Sequence, residues 1–73
     1  MIDTRSARTI QNALKDEGVS LEAVFRMQMI AQDVRSGGYT ILALQRDDIT
    51  FLVWVTFDES GTLVVKKVKK QAW

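Results

Sequence analysis

The stretch from Ile49 to Phe57, Ile-Thr-Phe-Leu-Val-Trp-Val-Thr-Phe, constrains this chain more than any other. Its odd positions, Ile49, Phe51, Val53, Val55 and Phe57, are all apolar, and its even positions read Thr50, Leu52, Trp54 and Thr56. Side chains on a strand alternate between faces, so the pattern gives one wholly apolar face and one mixed face. β-Branched and aromatic residues suit a packed, pleated surface, and the run is too short to cross a bilayer as a helix. It predicts the central strand of a small sheet whose odd face meets the helices.

Two helices are expected before it. Asp3 or Thr4 can cap the first, and Ala7, Ile10 and Leu14 recur at spacings of three and four, with Ala13 beside them. This predicts a helix over about 4–17, closed by Gly18, which adopts a left-handed cap without penalty. Its stripe is narrow, so its stability must come from docking. Ser20 is a good N-cap for a second helix over about 20–36, with Glu22 in its first turn and Val19 stapled to Val24. Ala23, Val24, Met27, Ile30, Ala31 and Val34 form a broad stripe on that helix. Leu21, Phe25 and Met29 form a second stripe, which calls for a further neighbour. Ser36-Gly37-Gly38 is the expected stop.

After the glycines, Tyr39 to Leu44 reads as a strand, and Gln45-Arg46-Asp47-Asp48 as the turn into the central one. Asp58-Glu59-Ser60-Gly61 is a hairpin signal with Gly61 at the position needing positive φ. The third strand begins at Thr62. There Leu63 and Val65 fall on one face and Val64 and Val68 on the other, which calls for a bulge or a loosely fixed register. Strands are thus expected over about 39–45, 48–58 and 62–70. The fold class is α+β: two helices on one face of a three-stranded antiparallel meander, ααβββ, in two layers. Residues 1–73 make a single small domain, with residues 1–4 and 71–73 expected to be loose ends.

A chain of 73 residues removes only about 60% of its unfolded surface from water, and small folds usually need a staple. With no cysteine there is no disulfide or thiolate metal site, and with no histidine the commonest metal ligand and neutral-pH proton shuttle are missing. Neither cofactor nor metal is expected. The lack of cysteine is compatible with a reducing cytoplasm, and the N-terminus lacks an apolar core of signal-peptide length, so the expected location is cytoplasmic, with no membrane partner. There is no phosphate loop, nucleophile elbow or calcium-loop pattern. The acid pairs Asp16-Glu17, Asp47-Asp48 and Asp58-Glu59 fall where a helix ends or a strand turns, which makes them solvated turn residues. The chain reads as non-catalytic.

Lys66, Lys67, Lys69 and Lys70 are the nearest thing to a motif. They would contact phosphates, with Arg5, Arg8 and Arg26 as further candidates, or they guard an edge strand against pairing with another sheet. The second role is favoured, since four charges come without an interleaved aromatic platform. Ile10 to Gln32 faintly resembles a helix-turn-helix with Gly18 in the turn. Leu14 stands where that template wants a small residue, and Glu17 where it wants an apolar one.

The stronger anomaly is leftover apolar surface. Leu52 and Trp54 face away from the helices, joined either by Leu42 and Leu44 or by Tyr39 and Ile41. Phe25 and Met29 occupy the second stripe, and Trp73 ends the chain. A two-layer domain has only one inside, so these five residues, Leu52, Trp54, Phe25, Met29 and Trp73, are the expected partner contacts. The leading functional expectation is a regulatory module docking on a larger cytosolic protein. Phages and mobile elements use proteins of this size to redirect a host polymerase or nuclease. A nucleic-acid binder using the lysine edge and a homodimer are the alternatives.

Overall fold

In a computed structural model that describes residues 2–35 and 37–72, the chain opens with helix α1, Thr4–Ala13. Asp3 is its cap: the carboxylate accepts the Ser6 backbone N–H at 2.7 Å, satisfying one of the donors that a helix start leaves open. That bond is also the main reason the Asp3 carboxyl lies below its ordinary value. Ala7 and Ile10 are the buried side of α1, followed by Leu14. The chain then tightens into a 3₁₀ turn, Lys15–Glu17, and Gly18 ends it at φ +67°, the left-handed cap expected there.

The second helix departs from the periodicity. Ser20 caps it as expected, accepting from the Ala23 N–H at 3.1 Å, but α2 spans only Leu21–Phe25. The chain leaves helical geometry after Arg26, and Gln28–Gln32 form a strand, β1. The sheet therefore has four strands rather than three. β2 (Thr40–Arg46), β3 (Ile49–Phe57) and β4 (Leu63–Ala72) complete it in the order β1-β2-β3-β4, each pair antiparallel. The physical reason lies in the two apolar stripes. One helix cannot bury both against a single sheet. The short α2 buries Val24 and half-buries Leu21 and Ala23, while the residues beyond it supply the ladder partners that β2 would otherwise lack. Of the broad stripe, Ile30, Ala31 and Val34 are exposed. Among the described residues the segment expected as a recognition helix is the five-residue α2 followed by strand β1, so the helix-turn-helix outline has no counterpart there.

The odd positions of β3 do meet the helices. Phe51, Val53 and Val55 are fully enclosed, packed with Leu42, Leu44 and Leu63 beneath Ala7, Ile10, Leu14, Val19 and Val24. Each such side chain contributes about 1.5–3 kcal/mol by leaving water. The confused alternation of β4 resolves through a bulge. Val68 pairs with Val53 and Lys67 with Trp54, yet Val65 pairs with Val55, so Lys66 is the extra residue and both valines reach the helix side. A second bulge at Ile30 interrupts β1 between Met29 and Ala31.

Of the segments expected to be loose, residues 1 and 73 lie outside the described residues. Ile2 packs against the core, and Gln71 and Ala72 pair with Thr50 and Ile49. Arg46 ties the helical layer to the sheet by donating to the carbonyls of Glu17 at 2.7 Å and Gly18 at 3.4 Å, with its guanidinium 5.4 Å from the centre of the Phe51 ring. No helix among the described residues is long and apolar enough to cross a membrane.

Candidate functional site

The sheet has two faces with opposite character, and the five expected contact residues divide between them. Leu52 and Trp54 lie on the face away from the helices. Phe25 and Met29 lie on the helix side. Trp73 is outside the described residues. The sequence likewise sets Leu52 and Trp54 away from the helices and Phe25 and Met29 on a helical stripe; what differs is that Met29 lies on strand β1 rather than on a long helix, paired with Leu42 on the helix side.

On the helix side the short α2 leaves β1 and one end of β3 uncovered. The result is a groove of about 440 Å³. Met29, Leu42, Val55, Phe57 and Leu63 form its sheet floor, while Ile2, Phe25 and Met27 contribute apolar walls. Three of these are large and open to solvent: Phe25 is 45% exposed, Met29 56% and Phe57 58%. The odd-position alternation of β3 marked Phe57 as core, but nothing in the local sequence signals that the helical layer stops short of it.

One carboxylate stands on the rim of the groove, and more border the hollow beside it. Asp3 lines the groove, and a shallow hollow continuing past Phe57 is bordered by Asp33, Asp58 and Glu59 as well as Arg35. These carboxylates are anchored by local bonds. The Arg35 guanidinium reaches Asp33 at 2.6 Å and holds its carboxyl below the ordinary range. Asp58 accepts from the Ser60 hydroxyl at 2.6 Å and from the N–H groups of Ser60 and Thr62 at 2.9 Å each, which lowers it as well. Gly61 completes that turn at φ +82°, as its position required.

The other face carries Ile41, Ala43, Leu52 and Trp54 in its centre, all half-buried by their neighbours, with Thr50 and Thr56 along β3. The ladder settles which side of β2 joins this face: Ile41 sits opposite Trp54, whereas Leu42 and Leu44 are core. Lys67 pairs with Trp54 across β4, its ammonium 4.9 Å from the ring centre, and Lys69 pairs with Leu52. Lys66, displaced by the bulge, lines a hollow with Tyr39, Thr56 and Val64, which Phe57 and Asp58 close at one end. Lys70 belongs to the opposite face, 3.4 Å from Glu17. Arg5 and Arg8 are on α1, across the sheet from the other three lysines.

β4, which carries the four lysines, is an edge strand of the sheet. Among the described residues no group of three or more Asp or Glu side chains is placed to hold a metal ion. Searches of protein-family models, of curated proteins and of solved structures find nothing that matches this chain.

Proposed function

We propose that the protein is a non-catalytic binding module that docks on a larger protein through the groove of Phe25, Met29 and Phe57. The observation that carries this reading is the convergence of three large, exposed apolar side chains on one concavity. Scattered apolar residues on a surface are ordinary, whereas a contiguous concave set with a polar rim is the anatomy of an interaction site. The carboxylates at its rim and in the adjoining hollow favour a partner segment with an apolar face and basic flanks. Leu52 and Trp54 suit this role less well, because neighbouring strands and the Lys67 side chain already cover much of the indole.

The test is affinity capture from cell extract with the parent chain and with Phe57→Ser, followed by titration of the captured protein. Capture by the parent is expected to be lost in the variant. Phe25→Ala should cost about 2 kcal/mol or more of binding, the range of an aromatic hot spot. Equal binding by parent and variants removes the groove from the function. Self-association of the parent that Phe57→Ser abolishes makes the groove a subunit interface instead.

A further inference from the structure

We infer that the open sheet face is a binding site for single-stranded nucleic acid, with Tyr39 and Trp54 stacking on bases and Lys66, Lys67 and Lys69 contacting phosphates. This goes beyond the docking reading of the groove and does not rest on it, since the groove floor and the rings of Tyr39 and Trp54 lie on opposite sides of the sheet and meet at Phe57.

The inference starts from the β4 bulge. In an unbroken strand, Lys66 would alternate with Lys67 and point to the helix side. The extra residue instead puts Lys66 against Tyr39, Thr56 and Val64, on the same side as Lys67 and Lys69. Three cations therefore line one border of a face whose described positions on β1 to β4 carry no acidic residue, and Asp58, in the turn after β3, borders the Lys66 hollow at one end. The acid pairs are confined to the turns at the ends of the sheet.

Within that border are two aromatic rings. Trp54 is on β3, and Tyr39, 44% exposed, lies beside Thr56 immediately before β2. Diagonal neighbours on a sheet face are about 7–8 Å apart, within reach of two bases stacked in succession. Base-on-ring stacking is tolerant of sequence, and combined with a positive track it is the usual basis of single-strand binding. Lysines without such rings would only guard the edge. Rings and lysines on one face do more.

Charge selects this occupant over a second copy of the chain. Stacking two such faces brings six lysines together against only the two Asp58 carboxylates at their ends. A duplex is also disfavoured, because its bases are already stacked and its backbone offers the rings nothing. At present the Lys67 ammonium occupies the Trp54 ring face, as a cation held by the ring quadrupole. Its long stem lets it swing to a phosphate when a base takes its place.

The experiment uses the full chain carrying Trp73→Phe, so that Trp54 is the sole indole, titrated with a short oligothymidylate across a salt series. Three neutralised phosphates give a slope of log K against log salt of about −2. Quenching of Trp54 fluorescence with that slope is the expected result. A combined Lys66→Gln, Lys67→Gln, Lys69→Gln variant, followed by anisotropy of a labelled oligonucleotide, is expected to lose nearly all the salt dependence. Trp54→Ala should weaken binding roughly 5- to 150-fold, and Trp54→Phe should restore most of it. If Trp54→Ala does not fold, Tyr39→Ala and the lysine variant still decide the matter. No binding at low salt, an affinity indifferent to both the rings and the lysines, or equally tight binding of polyglutamate would each overturn the inference, the last in favour of an acidic protein partner.

Discussion

Val53 has no solvent access and sits at the centre of the helix-facing side of β3, between Leu42 and Val68 in the ladder. An aspartate there must either hold its charge in an apolar core or force the core open. Val53→Asp is expected to be unfolded at neutral pH, as read by loss of a cooperative thermal transition. Gly38 is constrained from a different direction. A Cβ added at that position would come within 2.5 Å of the Asp33 carbonyl oxygen and 2.9 Å of the Arg35 carbonyl oxygen, so the backbone must shift to accept alanine. Gly38→Ala should destabilise by about 1–3 kcal/mol in urea titration, the usual range for a backbone forced out of place.

Acid acts through the turn carboxylates. Asp3, Asp33 and Asp58 all have folded-state values below the ordinary 3.8, chiefly through the hydrogen bonds they accept. A depressed folded value means that the unfolded chain binds more protons in acid. Their contribution is therefore present above about pH 4 and is lost as the pH falls through the depressed values. The urea midpoint should hold steady from neutrality to about pH 5 and then drop, and Asp58→Asn should flatten part of that drop.

At the scale of elements, legibility followed the number of independent signals per residue. β3 was readable because alternation, composition and length agree, and the structure places its odd face as the alternation requires. The start of α1, the Gly18 and Gly61 turns and the β4 bulge were readable because each has a local stereochemical cause. The 20–36 segment misled because its apolar residues match a helical period only if the stripe is very wide. Short helix plus edge strand fits the same residues, and which wins depends on the bare edge of β2, a tertiary fact absent from any local window. A variant separates the two arrangements. On a long helix Val34 is core and Val34→Asp unfolds the protein. In this structure Val34 is 87% exposed, so the same change should move stability by no more than about 0.5 kcal/mol in chemical denaturation.

The whole molecule is polar across its sheet. One side presents an apolar groove with acidic groups at and beside its rim, the other two aromatic rings bordered by lysines, and β3 supplies side chains to both. Neither surface was legible as a unit in the sequence, because each gathers residues from distant segments: the groove joins Ile2, Phe25, Met29 and Phe57, and the open face joins Tyr39, Trp54 and Lys66. Separation by a packed sheet has an energetic consequence. Sites without shared side chains, held apart by more than about 7–10 Å, contribute nearly additively. Phe57 borders both the groove and the hollow of Tyr39 and Lys66, whereas Met29 borders the groove and not that hollow. Met29→Ser should therefore weaken docking at the groove while changing oligonucleotide affinity by less than about twofold, and the combined Lys66→Gln, Lys67→Gln, Lys69→Gln variant should do the reverse. Two titrations on the double combination check this directly. If the losses combine as the product of the single effects, the two faces act independently and the chain can hold a protein and a single strand at once. If either titration responds to the distant variant as strongly as to its own, the sheet transmits strain between its faces or a single partner wraps around both.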